Sequence, residues 1–181
     1  NRHVWVHNID LFYGQAGSDS DQAKGDGTVD LKGDSQYITI ASCHFFDSGK
    51  SSLCGMTSET GPNYISYHDN WFDHSDSRHP RIRTMTVHLW NNYYDGNAKY
   101  GVGTTMGSSA FVEANYFRNC KYPMLMARQG HDPEATSGSV KTTFSGEDGG
   151  FIKSFANVRT GLSASNYTTW QSNPTSFDAY E

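Results

Sequence analysis

One nine-residue pattern recurs five times without gaps: VWVHNIDLF from Val4, ITIASCHFF from Ile38, ISYHDNWFD from Ile65, VHLWNNYYD from Val87 and AFVEANYFR from Ala110. The starts lie 34, 27, 22 and 23 residues apart, the range in which each repeat is one supersecondary unit stacked on the next. The first and third positions are mostly apolar, as in a strand with one buried face. The sixth position reads Ile9, Cys43, Asn70, Asn92 and Asn115, and the eighth Leu11, Phe45, Phe72, Tyr94 and Phe117. Stacked coils turn these columns into an asparagine ladder and a ladder of large apolar side chains. An interior Asn at a bend satisfies backbone groups that a turning strand leaves unpaired, while stacked rings fill the core.

A weaker sixth coil runs through Phe151, Ile152 and Lys153 to Asn157. A propeller would need blades of about 40 residues, and a leucine-rich repeat its own Leu periods; an ordinary β-sandwich would have the columns in register by coincidence. The expected fold is therefore all-β, a single-stranded solenoid. One domain is expected over 1–181, with coils from about 4 to 160 and an irregular tail over about 161–181. Eighteen glycines among many Asn, Ser, Thr and aromatic residues agree with short strands joined by turns.

The formal net charge of −5 argues against a broad nucleic-acid surface, and no apolar run approaches the roughly 20 residues that span a bilayer. Neither nucleic acid nor membrane is expected as a partner. Cys43, Cys54 and Cys120 are odd in number and lack metal-ligand spacing. Asn1-Arg2-His3 leads straight into an apparent strand, so an upstream portion is expected, and missing coils or a partner chain are expected to cover the open first coil.

Coil register also sorts the charged residues. Lys50 lies twelve positions after Ile38 and Arg78 thirteen after Ile65, so both fall in the same loop of adjacent coils about 4.8 Å apart. Arg83, beyond Pro80, can join them. Three cations gathered on an acidic protein call for an anionic ligand, most simply a row of carboxylates; singly, each would read as solvated surface. The first interval contains an insertion, roughly Gly14 to Gly27, that carries Asp19, Asp21 and Asp26 and is followed by Asp30. Such a loop supplies the hard oxygen ligands that calcium prefers, without the ordered positions of an EF-hand.

In combination, VWV from Val4, DGTVDLKG from Asp26, the Lys50-Ser-Ser-Leu-Cys-Gly stretch, YHDNWFD from Tyr67, RHPRIR from Arg78 and VHLWNNYY from Val87 resemble the pectate lyases of the pectate lyase C type. The likeness runs from Val4 to about Phe117. It implies a right-handed parallel β-helix with further N-terminal coils, secretion to the extracellular or periplasmic space, and calcium-assisted β-elimination of acidic polysaccharide, polygalacturonate. It also implies Arg78 as the base that removes the C5 proton, Lys50 and Arg83 as ligands of substrate carboxylates, and Asp26 and Asp30 as calcium ligands. An arginine serves as base only where neighbouring positive charge disfavours its protonated form, so alkaline working conditions follow from this reading.

Two positions depart from the family pattern: His7 stands where Asp is typical and Asn8 where His is frequent. A further calcium-ligand position lies one coil upstream of residue 1. The competing readings are a calcium-independent pectin lyase, a hydrolase, which needs a pair of carboxylates as acid and base, and a non-catalytic pectin-binding helix. In the last, Trp5, Trp71 and Trp90 would be sugar platforms; their place inside the repeat favours packing instead.

Overall fold

In every coil the residue just before the ladder position adopts a left-handed backbone: Asn8, Ser42, Asp69, Asn91, Ala114 and Ala156 have φ between 51° and 55°. That single left-handed residue turns the chain from one strand into the next, and its recurrence stacks six bends on one line. The computed structural model describes residues 1–13, 27–127 and 147–165. Its first coil is β1 (Arg2–His7), β2 (Asp10–Phe12) and β3 (Val29–Leu31), and its second β4 (Gln36–Ala41), β5 (His44–Phe46) and β6 (Ser52–Cys54). The third coil is β7 (Ile65–His68), β8 (Trp71–Asp73) and β9 (Arg81–Arg83), and the fourth β10 (Thr86–Trp90), β11 (Tyr93–Asp95) and β12 (Val102–Thr105). The fifth is β13 (Ser109–Glu113), β14 (Tyr116–Arg118) and β15 (Met124–Met126); β16 (Phe151–Phe155) and β17 (Val158–Thr160) begin a sixth, followed by α1 (Leu162–Ser165).

These strands form three parallel sheets, in the orders β1-β4-β7-β10-β13-β16, β2-β5-β8-β11-β14-β17 and β3-β6-β9-β12-β15. The chain is thus a parallel β-helix, as the repeat predicts. The columns are in the expected register, with Ile38, Ile65, Val87, Ala110 and Ile152 aligned in the first sheet and Phe45, Phe72, Tyr94 and Phe117 in the second. Those rings stack at centroid distances of 4.8, 4.9 and 4.4 Å and are fully buried.

The asparagine ladder is continuous. Asn92 Nδ2 donates to the Tyr67 carbonyl and to Asn115 Oδ1, each at 2.9 Å, while Asn92 Oδ1 accepts from the Asn70 backbone amide and side chain. Asn157 extends it into the sixth coil by accepting from Asn115. A second polar column lines the next corner, where Ser48, Ser75, Asn97, Cys120 and Ser163 are all buried. There Cys120 N–H donates to Ser163 Oγ at 2.7 Å and Asn97 Nδ2 to the Phe72 carbonyl.

Cys43, Cys54 and Cys120 are free thiols, all buried. Burial pushes Cys54 up to about 12 and Cys120 up to about 11, so these thiols stay protonated and inert. The tryptophans correct the sequence reading: Trp5 and Trp71 are exposed and Trp90 is half-buried, on outer faces, not in the core. Trp71 is sandwiched between His44 and Tyr93, and Trp90 stacks on His68. Among the described residues no helix is long and apolar enough to cross a membrane. The expected tail beyond Ser165 lies outside the described residues.

Candidate active site

The five-stranded sheet carries the charged face. Its strands alternate, so Leu31, Cys54, Ile82, Thr104 and Met126 align as one column of buried residues, and Asp30, Leu53, Arg81, Gly103 and Leu125 align on the opposite face. Arg81 and Arg83 flank the buried Ile82 on β9 and are both half-buried.

Lys50 pairs with Ser77 across adjacent coils, while three residues further along Leu53 pairs with Arg81. Ser51 and Ser52 therefore face Arg78, His79 and Pro80, which is a bulge, a device that re-aims a side chain. Arg78 sits on it with φ 64°, and its carbonyl accepts from the Ser52 amide at 2.8 Å. The flanking Ser77 and His79 are fully buried whereas Arg78 is half-buried. His79 is held inside by a hydrogen bond between Nδ1 and the Tyr100 carbonyl and by an edge contact to Phe72.

The far end of β9 is fixed by Gly55, the glycine that closes the Lys50-Ser-Ser-Leu-Cys-Gly stretch. Its φ is 82° and a Cβ there would run into the Arg83 carbonyl, so only glycine lets the two coils approach. Burial, then the charges of Arg81 and Arg78, pull the Arg83 guanidinium below its ordinary value. Lys50, Arg78 and Arg83 are thus on two adjacent coils, with Arg81, which sequence reasoning left without a role, among them.

Asp30 stands on the same face two strands from Arg81, about 10 Å at ordinary strand spacing. Its Oδ1 accepts from the Leu53 amide at 3.1 Å and its Oδ2 lies 3.1 Å from Lys32 Nζ. A Cβ on Gly27 would come within 2.6 Å of Asp30 Oδ1, so the glycine opens a cradle beside a hard carboxylate oxygen, donor chemistry that fits one calcium ligand. Asp26 and the acidic insertion from 14 to 26 lie outside the described residues.

Among the described residues the three carboxylate and imidazole groups that converge within 4.8 Å are Asp73, His74 and Asp95, not a set around Asp30. Asp95 is already taken: Arg118 grips it through Nε and Nη2 and Tyr93 donates at 3.0 Å. That ion pair is the leading cause of its depressed pKa.

Sequence reasoning missed two carboxylates. Glu147 accepts from Arg83, from Arg81 Nη2 at 2.8 Å and from the Thr105 hydroxyl at 2.7 Å. Glu59 is buried, 8% exposed, and accepts from the Met56, Ser58 and Gly33 amides and from Thr84 Oγ1. Burial pushes its pKa up, but these hydrogen bonds outweigh it and hold Glu59 at about 2. Neither residue sits in a motif that spacing could flag.

Stacked parallel sheets, two polar ladders and one arginine-lined outer face place the chain among the parallel β-helix proteins. Sequence comparison then gives the family: the model described as pectate lyase matches residues 1–172, and the chain belongs to that family. It is 32% identical over 126 residues to a pectate trisaccharide-lyase of Bacillus licheniformis, covering 69% of this chain and 36% of that one. It is 30% identical over 139 residues to pectate lyase A of Emericella nidulans, covering 74% and 41%. A pectate lyase from Bacillus sp. N165, solved in complex with trigalacturonate, superposes with a TM-score of 0.65 at 27% identity, over 99% of this chain and 57% of that one. The chain spans less than half the length of these two curated relatives.

Proposed function

We propose that the chain acts as a pectate lyase, cleaving α-1,4-linked polygalacturonate by calcium-assisted β-elimination to unsaturated oligogalacturonates, with Arg78 as base. The observation that carries this reading is the Lys50–Ser77 pairing, which brings Lys50 beside Arg78 on adjacent coils with Arg83 at the far end of the same strand as Arg81. The trigalacturonate held by the Bacillus sp. N165 relative supports the substrate class.

Arg78 takes the C5 proton; the C5–H electrons form the C4–C5 double bond, the bond from C4 to the glycosidic oxygen breaks, and that oxygen takes a proton from solvent water. The proton is hard to remove because it lies beside a carboxylate, and the enolate-like group that develops carries extra negative charge. Lys50 and Arg83 neutralise it by holding substrate carboxylates, cations fixed in place before the charge develops. Asp30, with Asp26, would hold calcium, which when bound supplies further positive charge at the same carboxylates. The same reading puts the protein outside the cytoplasm, where polymeric pectin lies.

Incubation with polygalacturonate, followed by ultraviolet absorbance of the unsaturated product with and without chelator, tests this. Chelator-sensitive absorbance is expected. Chelator-insensitive product on methylated pectin would move the assignment to a pectin lyase, reducing ends without absorbance to a hydrolase, and binding without product to a pectin-binding helix.

A further inference from the structure

We propose that Glu147 is a positioning residue that grips Arg83 by one edge of its guanidinium so that the other edge is presented to a carboxylate of the acidic sugar chain. The inference rests on Arg83 as a substrate ligand. A guanidinium carries five N–H donors in a rigid fork with two usable edges. Glu147 occupies the Nε–Nη2 edge of Arg83, and among the described residues Nη1 has no partner. Its Oε2 also accepts from Arg81 and from the buried Thr105 hydroxyl, so one carboxylate ties two neighbouring cations together.

Without that bridge, Arg81 and Arg83 repel, and the long Arg83 side chain is left to be ordered at the moment of binding. With it, one carboxylate offsets part of the repulsion between the two guanidiniums and fixes Arg83 relative to Arg81. Glu147 is no loose plug either. The residues after it are pinned to the end of β12, where Met106 N–H donates to the Asp148 carbonyl, Gly107 N–H to Gly149 and Phe151 N–H to Ser108. Gly149 also bridges Thr105 antiparallel. Glu147 is therefore delivered to β9 by backbone pairing, on the wall of an open cleft of about 640 Å³ shared with Thr57, Thr84, Met106 and Phe151.

Titration calorimetry of the full chain with trigalacturonate, calcium present, tests this, with thermal melting as the check on folding. Glu147→Gln keeps the shape and removes the charge; we expect about tenfold weaker binding, the scale of one charge-assisted pair. In an Arg83→Ala background the same change should do nothing further, because Glu147 then has no Arg83 to hold. Thr105→Val, which removes only the hydroxyl, should weaken binding about two- to threefold by the same route.

Unchanged or tighter binding by folded Glu147→Gln overturns the proposal and makes the carboxylate a bystander or a competitor of substrate. A full additive loss in the Arg83→Ala background also overturns it. Should Glu147→Gln fail to fold, unchanged affinity in folded Thr105→Val overturns it alone. If the parent does not bind, or Arg83→Ala binds like the parent, the substrate reading of Arg83 fails first and takes the inference with it, an outcome visible before any Glu147 variant is compared.

Discussion

The Thr84 hydroxyl donates to the Glu59 carboxylate at 2.8 Å, tying the corner after β9 to the corner after β6. The same carboxylate reaches one coil further, to the Gly33 amide at 3.2 Å. One buried anion thereby staples three consecutive coils beside the arginine-lined face, without a direct cation partner in its hydrogen-bond shell among the described residues.

Stability should depend on pH through Glu59. Its folded pKa of about 2 lies below the ordinary 4.5, so its contribution is fully present above about 4.5 and fades as pH falls toward 2. Glu59→Gln should cost about 1–3 kcal/mol near neutrality. Denaturant titrations of parent and variant should converge between pH 6 and pH 3. A gap that is the same at both pH values would mean the carboxylate charge is not what the staple uses.

Arg78→Lys should abolish elimination while leaving trigalacturonate affinity near parental, because lysine offers a point charge on another stem in place of a guanidinium aimed by the bulge. Near-parental production of unsaturated product by the purified variant would remove Arg78 as base.

Asn92→Ala should destabilise by about 1–3 kcal/mol although Asn92 is remote from the arginine face, since it strands the buried Tyr67 carbonyl and the Asn70 amide. Asn157→Ala, at the less buried end of the ladder, should cost less. Equal melting temperatures for the Asn92 variant and the parent would contradict a ladder held by these bonds.

Calcium and substrate should promote each other's binding by the same factor, as linkage requires. Asp30→Ala should remove that coupling. Lys32→Ala should instead tighten calcium, by up to about fivefold, because the ammonium 3.1 Å from Asp30 Oδ2 competes for the carboxylate. Calorimetry with each ligand alone and then together reads all three. Parental behaviour of Asp30→Ala would leave Asp30 as a turn residue paired with Lys32 and favour the calcium-free readings.

The repeat alone determined the coils. Five ungapped segments put one residue type at one place in each turn, and strand alternation did the rest, so Asn70, Asn92, Asn115 and the Phe45 to Phe117 stack could be placed from spacing. The nearness of Lys50 to Arg78 followed in the same way, because both are counted from aligned strands. The second polar ladder was hidden by its mixed chemistry, since Ser48, Ser75, Asn97, Cys120 and Ser163 share burial but not residue type. The exposed faces of Trp5 and Trp71 were misjudged because an aromatic in a repeat can stack on its neighbours outside the core as well as within it. Only the tertiary structure brought Glu147 to Arg83, 64 residues away, and Glu59 to Thr84. Corner loops vary in length from coil to coil, so register carries no information about what they deliver. Their positions are decided by backbone pairing at the corners, which a sequence period does not encode.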